Sequence, residues 1–123
     1  MMPTVPRDSF LVIRTDGHEE VVPFPAKKGM TRLDAMKQAL GFDTFDFIAL
    51  NRRGRGPVDL VMVVDDQGYE TRTEDHGGDH FELVPVQARK PVNPRATELY
   101  HAVCLPGTTH QIVGDVAILH DAD

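Results

Sequence analysis

Two histidines four residues apart, His76 and His80, stand beside Asp75 and Asp79, and this is the nearest the chain comes to a metal-site pattern. On a helix that spacing would put both imidazoles on one face, as a zinc site requires. Gly77 and Gly78 lie between them, so a helix is not expected and a loop would have to bring the rings together. His101 and Cys104, three apart further on, could add ligands, but Leu99, Tyr100 and Val103 around them already read as a buried stripe. Zinc sites usually carry tighter signatures. Solvated histidines and a helix-buried cysteine are the simpler reading, and no cofactor is expected.

The second chemical candidate is the basic loop Asn51-Arg-Arg-Gly-Arg-Gly-Pro57. Arg52, Arg53 and Arg55 could hold a phosphate by bidentate contacts, with loop amides helping. The loop lacks the lysine and the following helix of a nucleotide-binding phosphate loop, and a solvated turn explains it as well. Arg95 is a third candidate. It falls in the first turn of an expected helix, where the dipole favours an anion rather than a cation. Either it pairs with Asp115 from the following strand, or Asn93, Arg95 and the free amides form a small anion pocket; the pairing is the preferred reading.

Nothing in the chain assembles a nucleophile with a base. Ser9 is the sole serine, and the nucleophile-elbow, zinc-protease and dinucleotide fingerprints are missing from the sequence. An enzyme is therefore not the expected function.

Charge is more informative. Residues 1–60 hold nine basic and eight acidic side chains, whereas residues 61–123 hold four and eleven, so the net −6 of the 123-residue chain lies in its second half. Asp65, Asp66, Glu70, Glu74, Asp75, Asp79 and Glu82 have Arg72 as their one local countercharge. A sequence-independent DNA binder needs a basic face to displace counterions, so direct DNA contact is not expected. The segment is either a solvated acidic loop or a surface for a basic partner. With 41% hydrophobic and 26% charged residues, the chain has the composition of a soluble globular domain. Its one cysteine rules out an intrachain disulfide and fits a reducing compartment. No apolar run reaches the ~18–20 residues of a membrane span, and no secretion signal is read at the start. A cytoplasmic protein with no membrane contact is expected.

These candidates must be positioned by an α+β framework. Ser9–Thr15 and His18–Phe24 read as strands around an Asp16-Gly17 turn. Thr31 with Asp34 opens a helix whose inner face is Leu33, Met36 and Leu40, beside Ala39, and Gly41 closes it. Phe45–Leu50 reads as a third strand, and Val58–Val64, which holds the most hydrophobic stretch, Leu60–Val64, as a central fourth. Tyr69–Thr73 and Phe81–Val86 add two shorter strands, with Pro85 marking an edge. Asn93 then caps a second helix, with Pro94 at its first position and Ala96, Leu99, Tyr100 and Val103 as its apolar stripe. Ile112–Leu119 reads as a buried closing strand, interrupted at Gly114 and Asp115. The expected fold is a mostly antiparallel sheet of about five to seven strands with two short helices on one face.

The pairing of Asn93-Pro-Arg-Ala-Thr97 with Ile112-Val-Gly-Asp-Val-Ala-Ile-Leu119 resembles the C-terminal half of the DUF3846 family, small domains of unknown function frequent in phages and mobile elements. Val61-Met-Val-Val-Asp-Asp-Gln-Gly68 is similar to the strand and turn that precede this motif. The likeness covers about half the chain, and residues 69–92 depart from it as an acidic insertion in what reads as one domain over residues 1–123. It implies fold and origin, with no catalytic residues to carry over. The expected function is a small non-enzymatic accessory protein that binds a host or phage macromolecule through the acidic segment, a partner with a basic groove being one form this could take. A small-anion or nucleotide-binding domain built on Arg52, Arg53, Arg55, Asn93 and Arg95 is the alternative, and a metal-dependent enzyme around His76 and His80 the third.

Overall fold

Alternation along Ser9–Ile13 puts Phe10 and Val12 on one face and Leu11 and Ile13 on the other, and all four are buried. A strand apolar on both sides needs a covering layer on each, and this requirement shapes the fold. The computed structural model describes residues 2–25, 29–50, 59–104 and 107–121. In chain order these form β1 (Ser9–Ile13), β2 (Glu19–Pro23), α1 (Arg32–Leu40), β3 (Phe45–Ala49), β4 (Leu60–Asp65), β5 (Tyr69–Asp75), β6 (Phe81–Ala88), α2 (Pro94–Val103) and β7 (Val116–His120).

Five of the strands make one antiparallel sheet in the order β2-β1-β7-β4-β3, and β5 pairs with β6 in a separate two-stranded sheet. The α+β antiparallel class is thus the one expected. The last strand occupies the middle, with β1 on one side and β4 on the other. β4 lies next to the centre rather than at it.

The helices, expected on one face, cover opposite faces. Leu11, Ile13, Met62, Val116 and Ile118 pack with Ala96, Leu99 and Val103 of α2. Phe10, Val12, Val63, Ala117 and Leu119 pack with Ala35, Met36 and Leu40 of α1. The reason is the period of two: β1 and β7 are apolar at consecutive positions, so each face needs its own cover. Burial is also what holds such short helices, which are marginal in isolation; Leu99 and Val103, fully buried, contribute roughly 1.5–3 kcal/mol each.

Local signals set the ends. Thr31 and Asp34 form a reciprocal capping box, and Gly41 closes α1 with φ +80°. Leu33 is not on the inner face of α1; Ala35 takes that place and Leu33 is 41% exposed. Asn93 caps α2 by accepting from the Ala96 amide. Its apolar stripe is Ala96, Leu99 and Val103 with Thr97, while Tyr100 is half-buried at the flank.

The expected closing strand is divided. Val113 bridges Val92, the chain turns at Gly114 with φ +77°, and β7 begins only at Val116. The β5–β6 hairpin, which carries Glu70, Glu74, Asp75, Asp79 and Glu82, turns through Gly77 and Gly78, both with positive φ. A lone two-stranded hairpin is barely stable in water, and this one is fastened at its base. The Arg89 amide donates to Gly68 carbonyl at 2.8 Å, the Gly114 amide to Pro91 carbonyl at 2.8 Å, and the Tyr69 hydroxyl to Gln111 carbonyl at 2.6 Å.

Candidate functional site

Residues 93–97 and 112–115 meet, and what they build is a joint. The buried Asn93 donates from Nδ2 to the carbonyls of Ile13 (3.0 Å) and Gly114 (2.9 Å), while its Oδ1 caps α2. Its amide donates to Ile112 carbonyl. Thr97 Oγ1 accepts from the Ile112 amide at 2.9 Å and donates to the Ile112 carbonyl at 3.3 Å. Helix, bridge and sheet are thereby locked together.

Asp115 does not pair with Arg95. It accepts from Arg14 Nη1 and from the Thr15 amide, both at 3.0 Å, and Arg14 also reaches Glu20 at 2.9 Å. Arg95 bonds Glu98, one turn along its own helix. The geometric reason is that Gly114 turns the chain before β7, aiming Asp115 at the end of β1 rather than back at α2. Asn93 therefore has no polar atom left for an anion pocket with Arg95. Arg52, Arg53 and Arg55 lie outside the described residues.

The acidic residues separate into distinct environments. Asp65, with a side chain 6% exposed, pairs with Lys90 Nζ at 2.5 Å and accepts from Thr44 Oγ1 and the Gln67 amide. Burial works against its charge, but the ammonium and these donors outweigh it and hold the carboxyl below the usual range. It is a structural ion. Asp66 is exposed beside it. Glu74 is half-exposed, and Asp75 and Asp79 are exposed at the hairpin tip, where Asp75 accepts from the Gly77 amide. Of Glu70 and Glu82 only the backbone is described.

His76 and His80 do come together across this tip, with ring centroids 5.9 Å apart, and the His76 ring nitrogen lies 3.8 Å from Glu74. Among the described residues no set of three or more His, Cys, Asp and Glu side chains is placed to hold a metal. His101 points elsewhere, donating to His110 carbonyl at 2.6 Å, and Cys104 is buried. Ser9 is buried too and bonds Asp8.

A cleft of about 370 Å³ opens at the base of the hairpin, between β3, β4, the start of β5 and the segment 110–113. Asp46 and Asp66 stand on it, with Tyr69, Tyr100 and His110 among its walls. The Tyr69 and His110 rings are 5.2 Å apart, and Tyr100 meets His110 edge-on at 6.0 Å. Burial raises the Tyr69 hydroxyl, keeping it neutral and donating to Gln111. Carboxylates beside aromatic faces can hold an organic cation by ion pairing and cation–π attraction. Asp46, Tyr69, Tyr100 and His110 were not sequence candidates. They come from separate segments, and no spacing rule links them.

Among the described residues every buried side-chain nitrogen and oxygen has a partner, and no helix is long and apolar enough to cross a membrane. No family model matches the chain, and neither a search of curated proteins nor one of solved structures gives a match.

Proposed function

We propose that the protein is a small non-enzymatic accessory protein, of the phage or mobile-element kind that its resemblance to DUF3846 implies, which binds a basic region of a host or phage protein. The observation that carries this reading is the display of Asp66, Glu74, Asp75 and Asp79 along the β4–β5–β6 segment, while the Lys90 ammonium is held by Asp65. Such a charge excess favours cationic partners and speeds their encounter. Anionic surfaces of this type can occupy a groove that otherwise takes nucleic acid.

The test is capture from host lysate with wild-type protein and with the variant Asp66→Asn/Glu74→Gln/Asp75→Asn/Asp79→Asn. A partner retained by wild type at low salt, weakened at moderate salt and lost by the variant is expected, because exposed charges are screened within about 10 Å at 0.1 M salt. The same partners on both proteins at both salt concentrations would remove the charge mechanism.

A further inference from the structure

The sheet has two edges, and they differ. β2 carries Glu19, Glu20 and Pro23, residues that discourage another strand from adding. β3, at the other edge, presents Phe47 at 55% exposure. Its backbone polarity follows from two bonds at the ends of its pairing with β4: the Leu50 amide donates to Leu60 carbonyl, and the Asp66 amide to Thr44 carbonyl. Bonded pairs alternate along an antiparallel ladder, so Asp46 and Ile48 turn their backbone groups toward β4. Phe45, Phe47 and Ala49 turn theirs outward. The Phe47 amide accordingly meets no β4 carbonyl and donates instead to Asp46 Oδ1 at 3.0 Å.

Cavities of opposite chemistry flank this edge. On the α1 face lies an apolar groove of about 250 Å³, lined by Leu33, Met36, Phe47, Val61 and Leu119 among others. On the α2 face lies the acidic, aromatic cleft with Asp46 and Asp66. Phe47 borders both. A strand lying along β3 would send successive side chains to opposite faces.

We propose that β3 is a docking edge for an extended, antiparallel segment of a partner protein in which apolar and basic residues alternate. Apolar side chains enter the groove beside Leu33 and Phe47. Basic side chains enter the cleft, facing Asp46 and Asp66 and the rings of Tyr69 and Tyr100. Charge complementarity selects this occupant over a second copy of the chain, whose own β3 has Asp46 and Ile48 on the face that would need a cation. Main-chain bonds supply affinity and alternate pockets supply specificity, as in other strand additions. The Asp46 carboxylate leaves the Phe47 amide when the strand arrives and turns to the incoming cation. This deepens the reading of a basic partner and rests on it for the sign of the charge.

The probe is a labelled, end-blocked peptide of alternating arginine and valine, followed by fluorescence anisotropy, with a peptide of the same composition in two blocks as the control. The alternating peptide is expected to bind at least about tenfold more tightly, since one bidirectional fit is worth more than about 1.4 kcal/mol. In an antiparallel addition, residues bonded to Phe47 share its face, so N-methylation of the valines abolishes binding and N-methylation of the arginines is tolerated. Ala49→Pro removes one outward amide without touching the β4 ladder and weakens binding about fivefold to tenfold, with circular dichroism unchanged. Asp46→Asn weakens it and flattens its salt dependence. Equal affinity for the two peptides, tolerance of valine methylation, or self-association through β3 in sedimentation velocity would each overturn the proposal. The N-methylated peptides test it without altering the protein. If the alternating peptide fails while lysate capture still depends on Glu74, Asp75 and Asp79, the edge is wrong and the charge reading stands.

Discussion

Asn93 shows how much one polar side chain can do when all its bonds lie inside the protein. It caps α2 and ties it to Ile13 and Gly114, from two other segments. Asn93→Ala should lose the cap and leave two buried carbonyls short of a donor, lowering stability by about 2–4 kcal/mol in urea unfolding. Thr97→Val should cost about 1–2 kcal/mol by the same argument. Asp65 and Asp59 make the second case. The carboxyl of Asp59 is lowered by its bond to His120, with burial opposing and Arg7 adding to the effect, and that of Asp65 is lowered against burial by Lys90 and its other donors. In the unfolded chain both titrate at about 4. Their folded values lie below that, so their contribution is complete above pH ~4 and is lost as pH falls through the folded values. The melting temperature should therefore fall in acid. Asp65→Asn should start lower and fall less steeply; a parallel fall would show that the Lys90 pair is not responsible.

At the scale of elements, the β5–β6 hairpin depends on close approach at its base. A Cβ at Gly68 would come within 2.8 Å of Val113 Cγ2, at the segment that bridges Val92. Gly68→Ala should destabilise by about 1–3 kcal/mol through overpacking. Val113→Ala placed beside it should recover part of that loss, giving a coupling of opposite sign to the single changes in a double-mutant cycle. Strict additivity would mean that the hairpin is not seated against Val113. Gly114 is required for another reason: its φ of +77° is a conformation that side chains rarely adopt, and an added Cβ would meet Lys90 Cδ at 2.8 Å.

For the molecule as a whole, the sheet order makes β7 central and β3 an edge, and proline substitution reads this directly. Ile48 turns its amide toward β4 and its side chain into the core, whereas Ala49 is exposed and turns its amide outward. Ile48→Pro should cost about 3 kcal/mol or more, and Ala49→Pro under about 1 kcal/mol, in thermal or chemical unfolding. A larger loss for Ala49→Pro than for Ile48→Pro would mean that the register of β3 is shifted by one residue. The same one-residue slip would exchange the groove and cleft faces of the strand.

The element order, the capping box at Thr31, the left-handed stop at Gly41 and the Asn93–Pro94 helix start were all legible in the sequence, because each depends on neighbours within a turn or two. Phe45–Leu50 was legible as a strand as well, and the edge position of β3 shows in its two faces: Ile48 is buried beneath one while Phe47 stands open on the other. What the chain alone could not assign were relations between distant segments. Asp115 was matched with Arg95 to account for a cation in the first turn of a helix, whereas its partner is Arg14, a hundred residues away and brought close by β1–β7 pairing. The helices were set on one face because amphipathicity says that a helix needs a covered side and not which side of the sheet it will cover. The cleft of Asp46, Asp66, Tyr69, Tyr100 and His110 exists only once four segments meet. Short-range sterics and hydrogen bonding determined the parts; the two-sided burial of the central strands decided how they face one another and where a partner can reach.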